Sequence, residues 1–532
     1  MKPMKDKITV LITENVDKQC LGILISEGFN VDYKPGIARD DLLGLIETSD
    51  ALIVRSQTKV DAAVLEHGRR LKVVGRAGAG VDNIDVDAAT RRGIIVMNTP
   101  GGNTIAATEH TLSMMLALTS NIPQADQSMK LGKWERERFV GADLHGKIVG
   151  IIGFGKIGAE VAKRCRAFDM RVLAFDPAQP VEHIRRHDAE PADLEQLLSA
   201  SDFISIHAPL IRETRGLLNR ESFRKCKIGV RIINCARGGI VNEHDLLEAV
   251  QSGKVAGAAL DVFEHEPPGI SALITHPRII VTPHLGASTS EAQERVAIQI
   301  ARQITGALRG TSVTGSVNAD LVRIAMKEEL QPFLKLAEAI GKFISQTKKG
   351  ALTAISLTQI RGESGDALTA LGSALIKGLY ADVLDESVNY LNAHLVAQER
   401  GLTVQIRHEI GGEESPHAIE VEYTTEKERR SVAGTVLGSN DIRLTRIDQF
   451  HCEVKPEGHL LMYTNPDRPG MLARVAGKLA EANINIAGLS LGRYKRGEKA
   501  LTIISVDDPV DPQVLNSITS IEGIEALSVV HL

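Results

Sequence analysis

The most constraining feature of the chain is a run of apolar residues, Ile148 to Ile152, that leads directly into Gly-Phe-Gly-Lys-Ile-Gly over residues 153–158. A continuous apolar run fits a strand buried on both faces of a parallel sheet. Gly153 and Gly155 permit a tight turn that brings backbone N–H groups towards a pyrophosphate, and Gly158 permits close packing of helix on strand. The sequence therefore predicts a doubly wound, Rossmann-type domain that binds a dinucleotide.

A carboxylate at the end of the following predicted strand indicates which dinucleotide is bound. Arg171 to Phe175 is strand-like and ends in Asp176, 18 residues after Gly158. A carboxylate at about this distance binds the ribose hydroxyls of the adenosine half and repels a 2′-phosphate. The alternative is a turn aspartate before Pro177. We favour the ribose contact, and hence NAD over NADP, because no Arg or Lys follows before residue 185.

The length and patterning of the chain predict several domains. At 532 residues it exceeds what one hydrophobic core serves. Between Ile8 and Asn98 short β-branched runs alternate with helical patterns, which is typical of a parallel α/β sheet. After the dinucleotide domain, Ser288 and Glu291 form a predicted capping box for a long amphipathic helix that would pack back on the first domain.

The C-terminal 40% of the sequence carries weaker signals. Residues 319–455 mix helical and strand-like segments, include a Gly/Glu/Ser-rich stretch at 411–415, and contain no catalytic motif. The last 74 residues show the order strand, helix, two strands, helix and strand, which predicts a ferredoxin-like unit.

Composition excludes several other classes of protein. A net charge of −5 gives no broad positive field for nucleic acid. The five cysteines form no CxxC pair, so neither a zinc site nor a disulfide framework is indicated, and a reducing cytoplasm is expected. Neither a signal-peptide pattern nor an apolar run of about 18 residues is present, so we expect no membrane segment.

Three polar side chains at the ends of predicted strands suit hydride-transfer chemistry. Arg237 can hold a substrate carboxylate, His284 can exchange a proton with the substrate oxygen, and Glu266 can orient the imidazole. Taken singly, such a histidine is more often structural and such an arginine is often a surface charge. Their combination at strand ends, where doubly wound sheets bind ligands, favours catalysis.

These segments, together with Gly-Arg-Ala-Gly-Ala-Gly-Val-Asp-Asn-Ile-Asp at 75–85, resemble the D-isomer-specific 2-hydroxyacid dehydrogenase family over residues 8–310. The resemblance implies that Arg237, Glu266 and His284 are the catalytic residues and that residues 77–80 meet the substrate carboxylate. It also implies an NAD domain at 100–288 inserted into a flavodoxin-like substrate domain formed by 1–99 and 289–318. The residues that would line NAD, besides the three glycines and Asp176, are Lys156, Ile157, Ala208, Cys235, Ala236, Arg237, Asp261, His284, Gly286 and Ala287.

A phosphorylated hydroxy acid needs additional cations, and several are available. The candidate substrate contacts are Arg55, Ser56, Arg76, Gly78, Asn103 and Arg136. Arg55 and Arg136 match positions that resemble phosphate contacts in phosphoglycerate dehydrogenases, with Arg136 reaching across a dimer interface. For the basic segment 134–138 a solvated helix face is an equally good interpretation.

The tail resembles that of the long D-3-phosphoglycerate dehydrogenases. Asn-Pro-Asp-Arg-Pro-Gly at 465–470 and Asn-Ile-Asn-Ile-Ala at 483–487 look like an ACT domain, here 456–532, which would follow an intervening and potentially allosteric domain at 319–455. The resemblance implies 3-phosphoglycerate as substrate, 3-phosphohydroxypyruvate as product, a role in serine synthesis, and a homodimer or homotetramer. No nucleic acid, membrane or metal is expected.

The ACT-like segment offers a binding site for a regulatory amino acid such as serine. Asp467 can receive the ammonium group, Asn485 can bond to both ends of the ligand, and Asn465 lies in the same loop as Asp467. Such a fold can bring Asp467 and Asn485 together, and if two ACT domains pair about a two-fold axis, the ligand could bridge loops from different subunits. The alternative is a module that only dimerises, with these residues capping helices.

Two rival functions share part of the pattern. Glyoxylate or hydroxypyruvate reductases resemble the first 310 residues but usually lack the long extension. NAD-binding corepressors also resemble this family, but the acidic net charge and the folded tail disfavour that interpretation.

Overall fold

The computed structural model describes residues 7–360, 365–384, 387–409 and 418–532; the stretch 411–415 noted above lies outside them. The first domain contains strands β1 Thr9–Ile12, β2 Asn30–Tyr33, β3 Ala51–Val54, β4 Val73–Arg76 and β5 Ile95–Met97, and helices α1 Lys18–Ser26, α2 Arg39–Ile46, α3 Ala62–His67 and α4 Val86–Arg91. The strands are all parallel in the order β2-β1-β3-β4-β5. This order is flavodoxin-like and confirms the predicted class.

The second domain follows and contains the glycine-rich motif. Its helices are α5 Thr104–Thr119, α6 Ile122–Lys130, a 3₁₀ helix Arg136–Phe139, α7 Lys156–Ala167, α8 Val181–Arg186, α9 Leu194–Ala200, α10 Arg220–Lys225 and α11 Glu243–Gln251. Its strands are β6 Ile148–Ile152, β7 Arg171–Phe175, β8 Glu190–Pro191, β9 Phe203–Ile206, β10 Val230–Asn234, β11 Val255–Leu260 and β12 Ile279–Val281. The parallel order β12-β11-β10-β9-β6-β7-β8 reverses direction between β6 and β9, which is the Rossmann switch point where dinucleotides bind.

A long helix, α12 Ser290–Arg309, returns the chain to the first domain. Its apolar face, including Val296, Ile300 and Ile304, joins the core beneath β1 and β3. The predicted capping box at Ser288 is wrong: Thr289 is the cap and accepts from the Ala292 N–H at 3.2 Å. The helix is capped one residue later than the box requires, so the third helical position is Ala292, and Glu291 instead accepts from the Ser290 hydroxyl at 3.1 Å.

The third domain is built on a mixed sheet in which most neighbouring strands are antiparallel. It contains α13 Asp320–Ala325, a 3₁₀ helix Glu328–Leu330, α14 Gln331–Thr347, β13 Leu352–Ile360, α15 Asp366–Tyr380, α16 Ala393–Glu399, β14 Thr403–Glu409, β15 Ala418–Thr425, β16 Arg429–Leu437, β17 Asp441–Ile447 and β18 Phe450–Val454. The strand order is β14-β13-β15-β16-β17-β18. Asn389 donates to the Gly93 carbonyl at 2.8 Å and Asn392 to the Arg91 carbonyl at 3.2 Å, which fixes this domain against the first one.

The last domain has the predicted ferredoxin-like order: β19 His459–Pro466, α17 Met471–Glu481, β20 Ile486–Arg493, β21 Lys499–Val506, α18 Pro512–Thr519 and β22 Glu525–His531. Its antiparallel sheet has the order β20-β21-β19-β22. One face carries α17 and α18, while Leu460, Met462 and Ile503 on the other face belong to the same hydrophobic core as the third domain. The last two domains are therefore packed as one body.

In the described part of the chain, helices long and apolar enough to cross a bilayer are absent.

Candidate active site

The candidate site lies at the carboxyl ends of the parallel strands of the second domain. The loops after β6, β9, β10, β11 and β12 all emerge at this edge because the strands are parallel. They carry, respectively, the glycine-rich motif, Ala208, Arg237, Asp261 and His284. The sequence motifs are thus brought together by topology alone.

Two of the three glycines in the glycine-rich loop are required by its geometry. Gly153 has φ +90°, and a Cβ there would lie 2.6 Å from the Ala208 nitrogen. A Cβ on Gly158 would collide with the Gly153 carbonyl oxygen, so close helix–strand packing needs this glycine. A Cβ on Gly155, in contrast, would meet open space. The loop is thus closely packed at Gly153 and Gly158 and open at Gly155.

The start of α7 fits a pyrophosphate. Its cap residue is Gly155, which offers no side-chain acceptor to the first N–H groups of the helix at Lys156 and Ile157. Unsatisfied N–H groups at a helix start attract anionic oxygens, and the helix dipole adds to that attraction. The open space over Gly155 and these free donors together fit the diphosphate of NAD.

Asp176 accepts hydrogen bonds from the Phe154 N–H at 2.7 Å and the Ala178 N–H at 2.9 Å. It is half-buried at the end of β7, beside the glycine-rich loop. Both interpretations of this residue therefore have support: it holds a turn, and it lies where a ribose carboxylate is expected.

Asp261 is fully buried and holds the loop that carries His284. Its carboxylate accepts from the Thr282 hydroxyl at 2.5 Å and from the backbone N–H groups of Leu285 and Gly286 at 2.7 and 2.8 Å. Burial alone would raise its pKa, but the hydrogen bond from His110 and these donors outweigh it, so the pKa of Asp261 is lowered. The sequence predicted a cofactor contact here and missed this anchoring role.

Cys235 is not suited to act as a nucleophile in this site. Burial, with the neighbouring Asp261 charge as a second cause, raises the pKa of its thiol to about 12. Because the thiolate is the reactive form of cysteine, this side chain is inert at neutral pH.

His284 and Glu266 form the predicted pair. The Nδ1 atom of His284 lies 2.8 Å from Oε2 of Glu266, and both side chains are partly exposed to the cleft. Burial raises the pKa of Glu266, but the hydrogen bond and charge of His284 and the Phe263 N–H outweigh it and lower the pKa overall. Glu266 is therefore an anion that fixes the Nδ1 side of the ring and leaves Nε2 free.

Arg237 reaches across the cleft to the first domain. Its Nε lies 3.2 Å from Oδ2 of Asp82, and its Nη1 donates to the Ala236 carbonyl at 2.7 Å. Gly80 allows this approach, since a Cβ there would collide with the Arg237 guanidinium and would lie 3.0 Å from Nη1 of Arg76. Two guanidinium groups thus converge where a substrate carboxylate is expected.

Arg76 is held by the neighbouring loop. Its Nε donates to the Arg55 carbonyl at 3.0 Å, and Asn83 donates to the same oxygen at 2.9 Å. Burial lowers the pKa of the Arg76 guanidinium, and the charges of Asp82 and Arg237 act in opposite directions on it. Asn83 was missed from the sequence because its contacts are with backbone atoms that lie remote in the chain.

Four further predicted substrate contacts differ in their exposure and in their hydrogen-bond partners. Ser56 is exposed beside Arg55, and Gly78 donates to the Arg76 carbonyl at 2.8 Å. Asn103 occupies the cap position of α5 without a side-chain cap bond. Arg136 is exposed on the 3₁₀ helix and has no polar partner among the residues that the structure describes. The structure therefore brings Arg136 to no cleft residue of its own chain.

The regulatory residues are separated. Asp467 follows the carboxyl end of β19 and accepts from the Gly497 N–H at 3.0 Å, whereas Asn485 precedes β20 and donates to Asp507 at 2.7 Å. Since β19 and β20 are both antiparallel to β21, these positions are at opposite ends of the sheet. The expectation that one chain brings them together is wrong. Asn465 is buried and bonds to the Pro466 carbonyl at 2.7 Å.

Comparisons with known proteins agree with this arrangement. Residues 112–286 match the NAD binding domain of D-isomer specific 2-hydroxyacid dehydrogenases, residues 329–448 the D-3-phosphoglycerate dehydrogenase intervening domain, and residues 459–523 the ACT domain. D-3-phosphoglycerate dehydrogenase of Archaeoglobus fulgidus is 41% identical, over 98% of this chain and 100% of its own. The Synechocystis protein of the same name is 39% identical, over 98% of this chain and 94% of its own.

A solved glyoxylate reductase from Paecilomyes thermophila is similar over a smaller part. It is 28% identical with a TM-score of 0.55, and it covers 59% of this chain and 99% of its own.

Proposed function

Because the chain belongs to the D-3-phosphoglycerate dehydrogenase family, we propose that it oxidises D-3-phosphoglycerate to 3-phosphohydroxypyruvate with NAD, the first step of serine synthesis. The observation that carries the proposal is the His284–Glu266 pair, 2.8 Å apart, at the same edge of the sheet as Arg237. The opposite reaction, reduction of the 2-oxo acid, uses the same groups.

The residues divide the chemistry as follows. Glu266 holds Nδ1 of His284, so Nε2 is the atom that takes the proton from the C2 hydroxyl. Arg237 holds the carboxylate in a charge-assisted bond and orients C2. Gly155, Ala208 and Asp176 are among the residues that would hold NAD, which would supply the hydride acceptor.

The phosphate end of the substrate would meet the first domain. Arg55 and Ser56 lie at the exit of β3, and Arg76 lies at the exit of β4, so the three side chains share one edge of the sheet. The remaining proposed contacts are the Gly78 backbone and the Asn103 amide. Substrate carboxylate and phosphate would thus bind at the two sides of the same loop cluster.

Assembly and regulation are proposed at a coarser level. Trp134 and Val140 are 75% and 79% exposed on either side of Arg136, an apolar surface that a second chain would cover and that would carry Arg136 to the partner's cleft. The ACT domain indicates regulation by a small molecule, for which we favour serine. Asp467 and Asn485 would then contact one ligand only from two different chains of a homodimer or homotetramer.

The domain limits we favour are 1–99 with 289–318, 100–288, 319–455 and 456–532. A reducing cytoplasm suits the five cysteines, all of which are free thiols.

The rival functions have less support. A glyoxylate or hydroxypyruvate reductase accounts for the first three fifths of the chain, but not for the intervening and ACT domains. An NAD-binding corepressor does not require an intact proton-transfer pair.

The decisive experiment is NADH formation with 3-phosphoglycerate compared with D-glycerate, in wild type and in Arg55→Ala. We expect strong preference for the phosphorylated acid in the wild type and loss of that preference in the variant. Equal kcat/KM for both acids in the wild type would exclude the proposal, and lack of turnover with any 2-hydroxy acid would favour the corepressor.

A further inference from the structure

Glu14 is a buried carboxylate in the loop that follows β1, and its side chain reaches the loop that carries Arg55. It is only 6% exposed. One oxygen accepts from the Arg55 N–H at 2.8 Å and the Thr58 N–H at 2.9 Å, and the other accepts from the Gln57 N–H at 3.1 Å. A buried anion is stable when several donors converge on it, and here all three hydrogen bonds come from one short loop.

The same loop is also held through its carbonyl groups. Asn83 donates to the Arg55 carbonyl at 2.9 Å and to the Thr58 carbonyl at 2.6 Å, and Arg76 adds a bond to the former at 3.0 Å. The N–H groups of the loop thus face Glu14, and its carbonyls face the exit of β4. With both sets occupied, the loop backbone has one strongly favoured conformation.

This arrangement decides which groups can recognise an anion. The backbone donors of Arg55, Gln57 and Thr58 are already used by Glu14, so they are not available to a phosphate. The groups left over include the Arg55 guanidinium, which donates to the Asn15 carbonyl at 3.1 Å, and the exposed Ser56 with its hydroxyl and backbone N–H. Recognition therefore falls to groups whose direction depends on the backbone conformation of this loop.

We propose that Glu14 is the positioning residue that sets the 55–58 loop for the phosphate end of the substrate and thereby the preference for phosphorylated hydroxy acids. The inference rests on the proposed function. A carboxylate is required because it accepts at both oxygens. An amide would present its NH₂ group to at least one of the three N–H groups, so the loop would have to shift.

The test is Glu14→Gln, with kcat and KM measured for 3-phosphoglycerate and for D-glycerate, NAD binding measured by fluorescence, and thermal unfolding recorded. We expect KM for 3-phosphoglycerate to rise about tenfold, as for loss of a bond to a charged group. For the variant, kcat with 3-phosphoglycerate, the affinity for NAD and kcat/KM for D-glycerate should stay within about twofold of wild type. Such a change corresponds to only a small difference in free energy.

Asp50→Asn is the matched control. Asp50 is also a buried carboxylate of this sheet, 2% exposed, and it accepts from the Thr9 N–H at 3.0 Å, but at the opposite end of the strands. It should lower the melting temperature without changing the preference between the two acids. If Glu14→Gln behaves in the same way, or reduces turnover of both acids equally, Glu14 is structural only and the inference is overturned.

Asn83→Ala provides a second route in case Glu14→Gln does not fold. It releases the same loop from its carbonyl side and should raise KM for 3-phosphoglycerate selectively as well; an unchanged preference would count against the inference. A wild type without preference for the phosphorylated acid defeats the proposed function itself. A selective wild type with an equally selective Glu14→Gln defeats only the assignment of Glu14.

Discussion

The Arg237 guanidinium is paired with Asp82 across the cleft, with Nε and Oδ2 3.2 Å apart. The two residues belong to different domains, so the pair links the two walls of the cleft. A substrate carboxylate that enters has to compete with Asp82 for the same cation.

Replacement of Arg237 by Ala should lower kcat/KM. The loss of transition-state stabilisation should be at least about 1.5 to 3 kcal/mol, as for loss of a charge-assisted hydrogen bond. The affinity for NAD should change little. Steady-state kinetics with 3-phosphoglycerate and a separate NAD titration check both statements. A variant that is impaired only in NAD binding would contradict the assigned role.

Removal of the imidazole by His284→Ala should reduce turnover by roughly 10²- to 10⁴-fold, because a positioned general base is lost. Glu266→Gln should retain more activity than His284→Ala, because the imidazole stays in place and loses only the carboxylate that holds its Nδ1 side. The measurement is kcat/KM against pH for all three proteins. Near-wild-type rates of His284→Ala across the range would remove it from the mechanism.

The wild type should prefer NAD strongly, because Asp176 accepts from the ribose hydroxyls and repels a 2′-phosphate. Asp176→Ala should narrow the ratio of kcat/KM for the two cofactors. It should also cost some stability, since the bond to the Phe154 N–H at 2.7 Å is lost. Equal use of NAD and NADP by the wild type would contradict the assignment.

Asp261→Asn should destabilise the protein by about 1.5 to 3 kcal/mol near neutral pH, because an NH₂ group would face backbone donors in a fully buried site. The folded-state pKa of Asp261 is lowered, so its stabilisation is present above the unfolded-state value near 3.8 and is lost as the pH falls through the lower folded value. Urea unfolding of both proteins at pH 7 and at acidic pH measures the difference.

Asp202→Asn serves as the comparison for Asp261→Asn. Asp202 accepts from the Ile148 N–H at 2.8 Å at the far end of the same sheet, away from His284. Both variants should be less stable, but only Asp261→Asn should lose kcat. Equal losses of kcat in the two variants would show that anchoring of the His284 loop by Asp261 does not explain the loss.

Serine in the millimolar range should inhibit the wild type, and Asn485→Ala should abolish the inhibition with uninhibited turnover largely intact. The geometry adds a condition: Asp467 and Asn485 lie at opposite ends of one sheet, so binding needs a second chain. Calorimetry and sedimentation should show that serine binds only to the oligomer. Undetectable binding with unchanged kinetics would leave the tail as an assembly module.

The sequence predicted those features that depend on local order. The glycine-rich motif, Asp176 and the three proposed catalytic side chains each follow a strand, and parallel topology then assembles them. Glu14, Asn83 and Asp82 could not be found in this way, because each acts on a partner remote in the chain. The separation of Asp467 from Asn485 was missed because their spacing does not reveal at which end of the sheet each lies.

The hydrophobic core that is shared by the last two domains constrains where this chain can be divided. Cutting the chain near residue 455 would expose Leu460, Met462 and Ile503 of the last domain to solvent. It would also expose the apolar surface of the third domain against which they pack. Removing the C-terminal part of this chain, or transferring it to another protein, would therefore mean moving both domains together as one unit.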